Sequence, residues 1–193
     1  MSKEQVEFNN ILKRYVNDVP YIKTKDNVKE LEIRFGTLGY KRISRIDYDN
    51  VCKNLLSHGF KPSDYDGKSL LRISNEFTDR NTGRTKISSI RTEINNLDNI
   101  KEYCKTNKLP SKYSHVQKSN SKSDAGETLY PVDIKSYNLR ASYSIENTIG
   151  NDSRMAKSIV ETWSDSKKVF RYINRLSFVH PDFPMFVDCS IVK

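Results

Sequence analysis

"KELEIRFG", Lys29 to Gly36, decides how the rest of the chain is read. Leu31, Ile33 and Phe35 alternate with Glu30, Glu32 and Arg34, the period-two pattern of a strand with one apolar and one charged face. Two carboxylates one pleat apart beside a guanidinium either lie in water or look into a site.

Four later segments repeat the pattern. Arg72, Ser74 and Glu76 oppose Leu71, Ile73 and Phe77; Arg140, Ser142, Ser144 and Glu146 oppose Leu139, Ala141, Tyr143 and Ile145. Arg171, Arg175 and Ser177 oppose Phe170, Tyr172, Leu176 and Phe178, and Asp188 and Ser190 oppose Val187, Cys189 and Ile191. Alternation alone fits an antiparallel sheet with one solvated face. The chain has more Lys than Arg, yet the basic residues on these faces are Arg. Arginine is favoured where charge is desolvated, paired or held against phosphate. A barrel with a charged lumen therefore competes with a wet sheet, and both readings stay open on the pattern alone.

The remaining elements follow from local signals. The N-terminal residues read as an amphipathic helix with Val6, Ile11, Leu12 and Tyr15 on one side. "SRIDYDNVCKNLLSHG" reads as a second helix, capped by Ser44 and stopped at Gly59. "KSLLRISNEFTD" and "RTKISSIRTEI" form a hairpin across "RNTG". A short helix follows, with Leu97, Ile100 and Cys104 inward. "PSKYSHVQKSNSKSDAGE" reads as a polar loop. From Val132 onward the expectation is strand throughout, "KSIVETW" included, with a tight turn at "SDSK". The total is about seven strands and a few helices, mostly in hairpin order, with no internal repeat. Residues 1–193 read as a single α+β, mostly antiparallel β domain.

The 193 residues suffice for one well-buried domain. A net charge of +9 favours polyanionic partners such as nucleic acid or phosphates. Cys52, Cys104 and Cys189 are odd in number and widely spaced, which argues against a disulfide framework or a Cys-rich zinc site. The sequence has no signal-peptide core and no apolar run that would span a bilayer, so a cytosolic or nuclear-type protein with no membrane partner is expected.

Chemistry follows from strand spacing. Alternate residues lie roughly 6.6 Å apart along a strand, so Glu30 and Glu32 can lean toward one point. Hard divalent cations such as Mn²⁺ or Mg²⁺ take oxygen ligands, and arginines on neighbouring strands can grip phosphate. A metal flanked by arginines suits phosphoanhydride hydrolysis. ExExR alone is short, and an intra-strand ion pair explains it equally well.

"ELEIRFG" resembles the first signature strand of the triphosphate tunnel metalloenzymes, and "SSIRTEI", "SYSIEN", "RLSFVHPDF" and "VDCSIVK" extend the resemblance in order. Together they are similar to the metal-dependent RNA 5′-triphosphatases of fungal and large-DNA-virus mRNA capping. The resemblance implies a closed eight-stranded antiparallel tunnel with a charged lumen. It implies Mn²⁺- or Mg²⁺-dependent removal of the γ-phosphate from 5′-triphosphate RNA, and from free nucleoside triphosphates.

By resemblance, Glu30 and Glu32 are metal ligands, and Arg34 and Arg91 contact phosphate. Glu146 is a lumen glutamate, Arg171 and Arg175 match a basic strand, and Asp188 and Ser190 match an acidic one. With Arg72 and Arg140 added, the phosphate-binding set is Arg34, Arg72, Arg91, Arg140, Arg171 and Arg175; the catalytic set is Glu30, Glu32, Arg91, Glu146, Arg175 and Asp188. The family's lysine between the two arginines is Ile173 here, with Lys168 or Arg140 as the candidate substitute. The family's second ExE pair has no counterpart, and the chain stops at "SIVK". The expectation is a tunnel domain lacking its last strand, the N-terminal piece of a larger capping polypeptide. Its linked domains would be a guanylyltransferase and a methyltransferase, its location cytoplasmic. A second carboxylate set within the chain would have to come from Glu76, Glu146 and Asp188.

Other candidates are weaker. His58, His115 and His180 have no ligand spacing and read as helix-end, loop or turn residues. No Ser or Cys sits in a nucleophile motif, and Gly36 and Gly39 make no phosphate loop. Trp163 reads as core or barrel exterior, and "YKRISR" from Tyr40 to Arg45 as solvated surface. The competing function is a non-catalytic RNA-binding barrel, but such a surface displays aromatics for base stacking, and here Phe and Tyr lie opposite the charged faces. A tunnel-family cyclase or thiamine-triphosphatase relative is the variant within the enzyme class.

Overall fold

The computed structural model describes residues 2–19, 27–35, 43–63 and 69–192, with the backbone alone described at 183–185. Gly36, Gly39 and Tyr40 to Arg42 of the sequence reading lie outside these residues. The chain divides into two compact units, residues 1–42 with 116–149, and residues 43–115 with 150–193. The sequence shows no boundary because each unit is assembled from two separated stretches.

In the first unit, α1 (Lys3–Asp18) starts with a reciprocal cap. Ser2 Oγ accepts from the Gln5 amide at 3.2 Å, and Gln5 Oε1 accepts from the Ser2 amide at 2.9 Å. The unit's strands are β1 (Asn27–Phe35), part of β5 (Ser114–Asn120), β6 (Val132–Ile134) and β7 (Leu139–Ile149). β7 pairs antiparallel with both β1 and β6. The expected single strand from Val132 is broken by a 3-10 turn at Lys135–Tyr137, where Asn138 takes a left-handed conformation. Ile11, Val132 and Tyr143 form the core, with Tyr15, Leu31 and Leu129 packed against it. Val6, expected on the inner side of α1, is exposed.

A charge network ties α1 to this core. The buried Asp18 carboxylate accepts from Tyr143 Oη at 2.8 Å and pairs with Arg14 at 3.0 Å and Lys29 at 3.0 Å. Burial opposes its ionisation, but the hydrogen bonds from Lys29 and Tyr143 outweigh it and hold Asp18 below the usual carboxylate range. A depressed carboxylate stabilises the fold above its unfolded pKa of about 3.9, and that contribution is lost as pH falls through the lower folded value. Asp18→Ala removes the partner that Lys29 and the Tyr143 hydroxyl share, while Arg14 keeps Asp124, and should cost about 1–3 kcal/mol at pH 7. Denaturant melts at pH 7 and pH 3 check this: the difference between wild type and variant should shrink at the lower pH.

The second unit contains α2 (Arg45–Ser57), β2 (Lys61–Pro62), β3 (Ser69–Thr78), β4 (Thr85–Asn95), α3 (Leu97–Thr106), α4 (Arg154–Glu161), β8 (Lys168–His180) and β9 (Phe183–Val192). β3 lies between β4 and β8, and β8 also pairs with β2 and β9, all antiparallel. Ser44 caps α2 as expected, and Gly59 ends it at φ +86°, where a Cβ would stand 3.1 Å from His180 Nε2. The strand pairings among the described residues close neither unit into a barrel.

Leu71, Ile73, Ile94, Ile100, Tyr103 and Trp163 form this unit's core, with Tyr172 and Ile159 against it. Fully burying one such side chain stabilises by about 1.5–3 kcal/mol. Three sequence expectations are corrected here. "KSIVETW" lies in α4 and the turn after it, not in a strand: Ser153 Oγ caps the helix by accepting from the Ala156 amide, and Ala156, Ile159 and Trp163 fall at helical spacing. Its β-branched Ile159 and Val160 suggested strand, but the cap and the buried stripe prevail. On α3 the inward residues are Ile100 and Tyr103, while Leu97 and Cys104 are exposed. The polar segment after Pro110 contains β5, with His115 and Val116 buried.

Candidate functional site

β1 and β7 place the first charged face by register. Glu30 lies opposite Ser144, Glu32 opposite Ser142, and Arg34 opposite Arg140, with Val28 opposite Glu146. Residues directly opposite in an antiparallel pair share a face, so these side chains project together. β5 adds Lys118. Its Nζ lies 3.3 Å from Glu30 Oε2, 3.8 Å from Glu32 Oε2 and 3.2 Å from Glu146 Oε1. Burial raises the Glu30 carboxyl above its ordinary range, Glu146 and Glu32 push it further, and Lys118 opposes them.

Two arginines border the cluster. Arg34 Nε is 3.6 Å from Glu32 Oε1, and Arg140 Nε is 3.6 Å from Asp133 Oδ1. Like charges directly opposite repel, and each arginine of the Arg34–Arg140 pair lies beside a carboxylate that offsets this. Glu30, Glu32, Glu146, Arg34 and Arg140 are thus gathered on one face of the first unit.

The second unit carries the other predicted residues. Arg72 lies opposite Glu93 on β4 and opposite Arg171 on β8; Ser74 lies opposite Arg91. Glu93 Oε1 accepts from Arg72 Nε at 2.9 Å and from Arg91 Nε at 2.6 Å. On β8 and β9, Arg175 lies opposite Ser190 and Ser177 opposite Asp188. Arg175 Nη1 is 3.0 Å from Asp188 Oδ2, and Asp188 Oδ1 accepts from Ser177 Oγ at 2.6 Å. Four arginines from three adjacent strands therefore share a face with two carboxylates.

Lys168 does not belong to it. Its ammonium bonds the Trp163 and Ser166 carbonyls and stacks 4.8 Å over the Trp163 ring. Ile173 itself is buried. His115 is no loop residue: it is fully buried in β5, bonded to Thr92 Oγ1 at 2.9 Å, and burial lowers its pKa. His58 caps α2, as expected of a helix-end residue. Burial and the neighbouring Cys52 push the Cys189 thiol up to about 12, which leaves it protonated and unsuited to nucleophilic work.

Sequence reasoning missed Lys118, Glu93 and Asp133. Glu93 is legible in hindsight, two residues after Arg91 and so on its face. Lys118 had no signal, since it lies in a Ser- and Lys-rich run. The donor set around Lys118, three carboxylates from two strands, is of the kind a hard divalent cation uses. Among the described residues, no group of three or more His, Cys, Asp or Glu side chains is arranged to hold a metal ion as they stand; here an ammonium occupies the convergence point. No helix among the described residues is long and apolar enough to cross a membrane. No protein-family model matches the chain, and no curated protein matches it.

Proposed function

We propose that this protein is a divalent-cation-dependent triphosphatase that removes the γ-phosphate from 5′-triphosphate RNA and from nucleoside triphosphates. The observation that carries the reading is the convergence of Glu30, Glu32 and Glu146 on one cationic group. Supporting it are the ordered tunnel-family motifs and two faces rich in arginine, the residue best matched to phosphate. The finer fold proposal is the family's closed tunnel. The capping role, with linked guanylyltransferase and methyltransferase activities, rests on the sequence resemblance alone.

Glu30, Glu32 and Glu146 would hold Mn²⁺ or Mg²⁺, which when bound supplies Lewis-acid polarisation of a phosphoryl oxygen and an activated water. The protein's own residues do the rest. Arg34 and Arg140 bind and orient phosphate oxygens beside the carboxylates. On the second unit, Arg72, Arg91, Arg171 and Arg175 make a face suited by charge and shape to phosphate oxygens, each fixed in place by its strand. Glu93 and Asp188 orient Arg72, Arg91 and Arg175 before substrate arrives, which lowers the reorganisation needed in the transition state.

Phosphate release from 5′-triphosphate RNA, ATP and thiamine triphosphate, measured with Mn²⁺ and with EDTA, tests the reading. Mn²⁺-dependent release from RNA and ATP, abolished by EDTA, is the expected result. RNA binding without phosphate release from any of the three would favour the non-catalytic barrel, and release from thiamine triphosphate alone would reassign the substrate.

A further inference from the structure

The Lys118 ammonium contacts one oxygen from each of three glutamates, and those are its ion pairs among the described residues. A surface lysine commonly pairs loosely with one carboxylate; this one is half-buried at the point where three converge. The local charge without it would be three carboxylates confined to adjacent strands, a repulsive arrangement.

We propose that Lys118 is a built-in counter-cation that holds Glu30, Glu32 and Glu146 together in the metal-free protein and leaves them when a divalent cation enters. This rests on the metal reading of the same carboxylates. The physical reason is competition for oxygens. A Mn²⁺ or Mg²⁺ ion needs carboxylate oxygens at about 2.0–2.2 Å, and the oxygens nearest Nζ are the ones that converge. An ammonium left at the same point would meet the ion's double positive charge at contact distance, in a half-buried setting where screening is weak. Lys118 is long and has rotatable carbons, so it can swing away with its charge intact and become a donor for a phosphate oxygen. Lys118 is in this sense a positioning residue. It keeps the carboxylates assembled for the ion and lowers the ion's affinity.

Two measurements test this. Mn²⁺ binding to the 193-residue chain is titrated calorimetrically for wild type, Lys118→Met and Lys118→Arg. Lys118→Met should bind Mn²⁺ at least about tenfold more tightly and melt at a lower temperature in EDTA, because a repelling charge has gone and the carboxylates have lost their partner. Lys118→Arg should stay near wild type. The second measurement needs no variant: acetylation of Lys118, followed by mass spectrometry, should run faster in Mg²⁺ than in EDTA as the amine is released. Equal or weaker Mn²⁺ affinity in a folded Lys118→Met overturns the proposal and leaves the triphosphatase reading standing. Should that variant not fold, unchanged acetylation in Mg²⁺ overturns it instead. If neither wild type nor variant binds Mn²⁺, the metal reading itself falls, and the proposal with it.

Discussion

Glu32→Ala is expected to lower Mn²⁺-dependent phosphate release by about 10²-fold or more, the size seen when one electrostatic stabiliser is removed from an active site. The loss should come with little loss of stability. Glu32 is 39% exposed on its side chain, its contacts to Arg34 and Lys118 are 3.6 and 3.8 Å, and β1 is held to β7 through the backbone. Long, half-exposed pairs of this kind contribute little to folding. Activity and melting temperature, measured on the same preparation, separate the two effects. Near-normal turnover in a folded variant would remove Glu32 from the metal set.

Arg175→Ala should lose a similar factor for a different reason. Its guanidinium is fixed by Asp188, itself held by Ser177, so the charge is placed before any phosphate arrives. Its Nε is buried without a hydrogen-bond partner among the described residues, so one donor of the fork is unspent. Arg175→Lys discriminates between charge and shape: partial recovery means the positive charge suffices, while full loss means a two-pronged contact to phosphate is needed. Full activity in Arg175→Ala would exclude it from phosphate handling.

The alternating segments were legible in the sequence because a strand has a period of two, and charge and apolarity alternate at Glu30–Phe35 and Leu139–Glu146, and at Phe170–Phe178 apart from Ile173 and Asn174. The two caps, Ser2 and Ser44, and the stop at Gly59 are local chemistry of a few residues; Ser44 and Gly59 could be read directly. "KSIVETW" misled because β-branched residues lean toward strand, and its helix depends on a partner surface: Ile159 and Trp163 pack against a core built from β3, β4 and α3. The count of strands was low for a similar reason. β5 has a loop's composition and is a strand because β7 gives its backbone somewhere to bond.

The candidate site divides along the same line. Which residues could share a face follows from local order along the chain, since strand periodicity is a property of the backbone: Glu30 with Glu32 and Arg34, Arg171 with Arg175, Asp188 with Ser190. The pairings between strands come from folding. The β1–β7 register sets Val28 opposite Glu146 and Arg34 opposite Arg140, the β3–β4 register sets Arg72 opposite Glu93, and β5 delivers Lys118 into three carboxylates 28 to 88 positions away. Register depends on backbone hydrogen bonds and packing summed over whole strands, so no short motif carries it.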